Sequence, residues 1–168
     1  MSMEVKSVDS KYTAEIELRP YGCWDDGDYV KGFKFSASFQ GLNFSSQYSG
    51  EGGLRAAKED ELLSFISELE SLYKNLSGSA FYEFFLSGEI EPDGELTFYK
   101  VKLGFYSLDA LGNIAFKIIC QREHRYSNTK DFIHESAVEF QVHQACLEAF
   151  IMYLKTKYTE SNIKNENY

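Results

Sequence analysis

The sequence is short of the residues that staple, kink or anchor a chain. Among 168 residues there are three cysteines, Cys23, Cys120 and Cys146. The number is odd and no pair has CxxC spacing, which argues against a disulfide framework or a zinc knuckle and places the chain in a reducing cytosol. Only two prolines occur, so long elements can run uninterrupted. The longest apolar runs, such as Phe84 to Leu86 or Phe150 to Leu154, stop far short of the roughly 20 residues a bilayer span needs. Met1 to Val5 carry neither a basic n-region nor an apolar stretch, so a secretory signal is not expected. There is no Gly-rich phosphate loop and no βαβ alternation, which removes Rossmann and P-loop readings. A Gly-x-Ser-x-Gly elbow is missing too, and no Ser or Cys sits beside a His as a triad requires.

What is present is apolar, aromatic and acidic. Apolar residues make up 43% of the chain, enough to exclude disorder at a length that suits one ordinary domain. The 14 Phe and 12 Tyr, against one Trp, favour pleated, half-buried surfaces. Net charge is −9 and unevenly placed. Residues 1–100 hold 18 Asp and Glu against 9 Lys and Arg, whereas residues 101–168 hold 8 of each. Such a field repels nucleic acid and draws in a basic partner. Solubility alone would also account for it.

Periodicity gives the fold. Tyr12, Ala14, Ile16 and Leu18 alternate with Thr13, Glu15, Glu17 and Arg19, the mark of a strand buried on one side. A loop is expected from Pro20 to about Tyr29. Phe33, Phe35, Ala37 and Phe39 then alternate with polar residues, and Leu42, Phe44, Ser46 and Tyr48 continue the period after Gly41, a hairpin signal. Gly50 to Gly53 break the sheet. From about Leu54 the period becomes 3.6, with Leu62, Phe65, Ile66, Leu69, Leu72, Tyr73 and Leu76 on one face and Gly78 placed to cap the helix. Strand-like runs follow at about 80–87, 95–107, 114–122 and 131–142, with turns at Pro92-Asp93-Gly94 and Gly112-Asn113. A second amphipathic helix is expected over about 143–158, burying Leu147, Phe150, Ile151, Leu154 and Tyr158. The order β-β-β-α-β-β-β-β-α indicates an α+β fold, an antiparallel β-sheet with two amphipathic helices packed on it. One domain is expected over 1–168, ordered from about 10 to 158, with a frayed tail over 159–168. The two halves, each several strands closed by a helix, echo one another weakly.

Constellations with chemical potential are few. His143 and Cys146 are spaced i, i+3 and could join His134 in a three-ligand metal site, but the strand-to-helix junction separates them and a buried Cys is an ordinary apolar filler. Trp24-Asp25-Asp26-Gly27-Asp28 lacks the alternate ligands and closing Glu of a calcium loop. Arg122, His124, Arg125 and Lys130 are too few for a nucleic-acid surface and read as a solvated loop. The expectation is therefore no enzyme, no cofactor and no metal.

The stretch from Tyr21 to Tyr29 stands out, with the only Trp, two Tyr and three Asp in nine residues. Aromatic anchors ringed by charge are typical of protein-binding hot spots, which makes Tyr21, Trp24, Asp25, Asp26, Asp28 and Tyr29 the candidate partner-binding residues. The same residues also fit a Trp24 that plugs the core beside aspartates that solvate a turn.

The stretches "IELRPYGCWDDGDYVKGFKFSASFQGL", "GGL" before the first helix and "VEFQVHQACLEAFIMYLK" give the chain a layout that resembles the WapI-type bacterial immunity proteins, over about residues 12–156. The resemblance rests on order and spacing. It implies a cytoplasmic antidote that binds the toxic C-terminal domain of a polymorphic or contact-dependent toxin, often a nuclease, as a monomer in a one-to-one complex. A nuclease surface is basic, and an acidic partner suits it. No catalytic or interface residues carry over. The alternative reading is a small-molecule-binding domain with a Phe- and Tyr-lined cavity between sheet and helix.

Overall fold

The computed structural model describes residues 2–25, 28–41, 45–50, 59–90, 96–126 and 129–163. Two antiparallel meanders follow one another, each closed by a helix. The first runs through β1 (Met3–Lys6), β2 (Thr13–Asp25), β3 (Asp28–Gln40) and β4 (Ser45–Gly50) to α1 (Glu59–Asn75). The second runs through β5 (Ser79–Ile90), β6 (Leu96–Ser107), β7 (Ile114–Tyr126) and β8 (Thr129–Val142) to α2 (Gln144–Ile163). Each meander is its own four-stranded sheet, ordered β1-β2-β3-β4 and β5-β6-β7-β8. This is the expected α+β architecture, in the expected order from β2 onward. The short strand β1 precedes it, and the strands divide into two sheets.

The period-two residues fall where alternation puts them. Ala14, Ile16, Leu18, Ala37 and Phe39 are buried while Glu15 is exposed; in the second sheet Ile114, Phe116, Ile118 and Cys120 are buried. β1 adds Val5, fully buried opposite Ala14. The helices cross over between halves. α1 packs on β5 and β6, α2 packs on β1 and β2, and the two helices pack on each other, so both sheets share one core. No described helix is long and apolar enough to cross a membrane.

The centre of that core is aromatic. Phe105, Phe116 and Phe140 occupy one register row across β6, β7 and β8, with ring centroids 5.1 and 5.6 Å apart. Phe150 of α2 meets Phe105 at 5.1 Å, in a tilted geometry that suits the ring quadrupoles. Three residues on, Tyr153 reaches the other sheet. β1 pairs with β2 as far as Ile16 among the described residues, and beyond it the Leu18 N–H donates to Tyr153 Oη at 2.7 Å. Burial pushes that phenol up to about 12.

Element ends differ from expectation in two places. α1 ends at Asn75 and Leu76, not a glycine, takes the left-handed position, with φ 52°. A β-carbon there costs roughly 1–2 kcal/mol. Leu76 offsets this by packing against the core. Gly78, expected as the cap, adopts φ 92° two residues later. α2 continues past Tyr158 to Ile163, because neither Gly nor Pro interrupts it; the Thr156 and Thr159 hydroxyls donate to the Met152 and Lys155 carbonyls, and Lys157 pairs with Glu160 at 2.7 Å. The expected sheet break at 51–53, the helix start near Leu54 and the Pro92-Asp93-Gly94 turn lie outside the described residues.

Tyr153→Phe keeps the ring and strands a buried N–H, so urea denaturation should show a loss of about 1–3 kcal/mol. Phe150→Ala should cost about 3–5 kcal/mol. An unchanged midpoint for both would show that α2 does not hold the sheets together.

Candidate functional site

The candidate stretch from Tyr21 to Tyr29 is not a loop. β2 runs on to Asp25 and β3 starts at Asp28, in unbroken register from Thr13↔Gln40 to Asp25↔Asp28. The Gly and Asp content reads as a turn, but Tyr21, Cys23, Trp24, Tyr29 and Val30 are residues that pleated strands favour. Pro20 is tolerated because the pairing of β1 with β2 ends at Met3↔Ile16, which leaves β3 as the described partner of β2 beyond that point. β4 likewise pairs with β3 only from Phe35 to Gln40. Among the described residues, the stretches Tyr21–Asp25 and Asp28–Gly32 therefore pair only with each other, as a two-stranded ribbon.

The register brings Trp24 opposite Tyr29 and Asp25 opposite Asp28, while Tyr21 pairs with Gly32. Tyr21 and Asp25 share the parity of Glu15 and Glu17; Trp24 shares that of Ile16 and Leu18. Asp26 lies outside the described residues. Carboxylates directly opposite one another oppose pairing. The same arrangement recurs on this sheet at Glu4↔Glu15. Neighbours temper it: Glu4 pairs with Lys6 at 2.7 Å, Glu15 accepts from Ser2 Oγ, and Arg19 grips Glu17 from Nε and Nη2 at 2.9 and 3.0 Å. That hydrogen bond to Arg19 holds the Glu17 carboxyl below its ordinary value. α1 adds five carboxylates against one lysine. On the outer positions of the second sheet, by contrast, charges are matched, with Lys100 on Glu83 at 2.9 Å and Lys117 on Glu139 at 2.7 Å.

Other candidates are dispersed. His143 is exposed and Cys146 is half-buried at the start of α2, while His134 lies eight residues before Val142 along β8, about 26 Å at the rise of a strand. Arg122, His124 and Arg125 belong to β7 and Lys130 to β8, with Arg125 and Lys130 in register, so the cluster expected in a loop sits on paired strands. The aromatic stock invoked for a ligand cavity includes Phe105, Phe116, Phe140 and Phe150, which fill the core against one another. Cys120 is buried, which pushes its thiol up to about 12.

One feature escaped the sequence reading. Between β6 and β7, the residues Leu108 to Asn113 form a tight loop facing the turn after α1, and the two border an open cleft of about 560 Å³. Gly112-Asn113 announced a turn, but nothing in the spacing said that Leu108 and Leu111 would face outward. The signal available was a leucine on each side of Asp109, a residue type that bonds the backbone two positions on.

The model of the immunity protein WapI-like family matches residues 8–160 of this chain. No curated protein matches it. Among solved structures, the crystal structure of WHY1 from Arabidopsis thaliana is similar with a TM-score of 0.48 and 12% identity, over 94% of this chain and 89% of that one.

In native protein at pH 8, iodoacetamide should leave Cys120 unmodified, and urea should expose it to full alkylation. Peptide-resolved mass spectrometry reads this directly; rapid native labelling of Cys120 would contradict the packing of β7.

Proposed function

The chain belongs to the immunity protein WapI-like family, and from that premise we propose that it neutralises the toxic C-terminal domain of a bacterial contact-dependent or polymorphic toxin by binding it one to one in the cytoplasm. Toxin immunity is the role the family carries, and the match over residues 8–160 is the observation that carries the reading. The finer part is our inference. We take the toxin domain to be a basic nuclease and the contact to be made through the acidic and aromatic ribbon: Tyr21, Trp24, Asp25, Asp26, Asp28 and Tyr29.

Electrostatics supports that choice. The chain carries −9 overall, all of the excess within residues 1–100. Acidic residues fall in register at Asp25↔Asp28 and at Glu4↔Glu15, a placement that concentrates negative charge on this sheet. An acidic surface raises the association rate with a basic partner and competes for the groove that would hold nucleic acid. On this reading the chain supplies inhibition by occupancy and no chemistry of its own.

The test uses the purified toxin domain encoded beside this chain's gene. A one-to-one complex by light scattering is expected. Asp25→Lys with Asp28→Lys should slow association roughly tenfold or more at low salt, with a smaller effect at high salt where screening already operates. Equal rates for wild type and double variant would remove the ribbon from the interface, and absence of any complex would remove the immunity reading.

A further inference from the structure

Among the residues whose side-chain burial is described, six large apolar side chains are exposed, and three of them lie in connections between strands: Val8 at 42%, Leu108 at 46% and Leu111 at 86%. Val8 lies in the β1–β2 connection and the leucines in the β6–β7 loop. Hydrogen bonds tie the two together. The Val8 N–H donates to the Gln141 carbonyl at 3.0 Å, Gln141 Nε2 donates to Asn113 Oδ1 at 3.0 Å, and Asn113 Nδ2 donates to Asp109 Oδ2 at 2.7 Å.

The loop that carries Leu111 is held from several sides. Asp109 Oδ1 accepts from the Leu111 and Asn113 N–H groups at 2.8 and 3.2 Å, and the Leu108 N–H donates to the Asn113 carbonyl at 2.8 Å. Ser107 Oγ donates to the Leu76 carbonyl and Gln144 Nε2 to that of Gly112. Gly112 has φ 84°, and a β-carbon there would come within 2.9 Å of Leu76 Cδ1. A loop fixed this firmly, with a leucine almost fully in water, is ordered before any partner arrives, which lowers the entropic cost of binding. The open cleft of about 560 Å³ beside it has a mixed lining, with Leu76, Leu108 and Leu111 next to Asn75, Ser77 and Ser107, and Asp109 as its one charged lining residue.

Charge selects the occupant. Asp109 is held ionised, its carboxyl lowered chiefly by the Asn113 side chain. Asp9, in the neighbouring connection, is lowered in the same way by Ser7 and the Lys11 N–H, with Lys11 Nζ at 3.4 Å. A second copy of the chain docked here would set Asp109 against Asp109, and nucleic acid would meet the same repulsion. A protein segment with an apolar side chain beside a basic one fits both the cleft and its rim.

We propose that this loop end is the anchoring surface for the toxin domain, with Leu111 and the adjoining cleft seating an apolar side chain of the toxin flanked by a basic group. The proposal rests on the immunity reading and assigns it a second contact. The acidic ribbon tip lies at the far end of β2, twelve residues or about 40 Å from the start of that strand. The two surfaces therefore act separately. The ribbon sets the rate of encounter, and the loop end sets how long the complex lasts.

Surface-binding kinetics of full-length chain against the toxin domain encoded beside its gene tests this. Leu111→Asp should raise the dissociation rate roughly tenfold or more and leave the association rate within about twofold. Leu108→Ser should act in the same direction. Both residues are exposed, so unchanged urea midpoints are expected and separate lost binding from lost folding. Wild-type dissociation rates in both variants would overturn the anchor while leaving the immunity reading in place. No wild-type complex at all would overturn both. Self-association of wild type that Leu111→Asp abolishes would make a second copy the occupant and overturn the assignment to the toxin.

Discussion

The packing of Phe150 against Phe105, within the row Phe105–Phe116–Phe140, is the contact on which the rest of the structure depends. Each sheet of this chain has one buried face, and neither can bury it alone. α2 solves this by presenting Phe150 to the second sheet and Tyr153 to the first, where its hydroxyl takes the Leu18 N–H. α1 does the converse, lying on β5 and β6 although it follows β4. The exchange of helices makes one core from two similar halves.

Much of this was legible because alternation and the 3.6 period are local. The runs at 114–122 and at Leu62 to Leu72 needed nothing beyond their own residues to declare a strand and a helix face. What was not legible is set by distance along the chain. Tyr153 and Leu18 are 135 residues apart, and no spacing rule links them. β1 was missed because four residues with one buried Val are too short a pattern. The ribbon was taken for a loop because Pro20, Gly22 and the aspartates outweigh Tyr21, Trp24 and Tyr29 in local propensity; only the pairing of β2 with β3 overrides them. Leu76 in a left-handed conformation, and the outward leucines of the next loop, depend on tertiary packing that a sequence window does not contain.

The candidate stretch from Tyr21 to Tyr29 was chosen on composition, and its form was not legible. An acidic, aromatic cluster could be picked out, but its splitting into Trp24↔Tyr29 and Asp25↔Asp28 register pairs appears only with the strands in place. A charge field acts over a Debye length, about 8–10 Å at physiological salt. The short-range hold has to come from surfaces that exclude water, and Leu111 with its cleft is the most exposed apolar feature among the described residues. Family membership, acid excess and apolar loop end are separate observations that converge on binding as the mode of action.

That claim is tested most directly in living cells. The toxin domain that the chain is proposed to neutralise is expressed from an inducible promoter, with and without the chain, and colony-forming units are counted after induction. The account predicts that the toxin domain alone collapses viability and that the chain restores it to the uninduced level. Equal loss of viability in both cultures, with the chain present and folded, would contradict it.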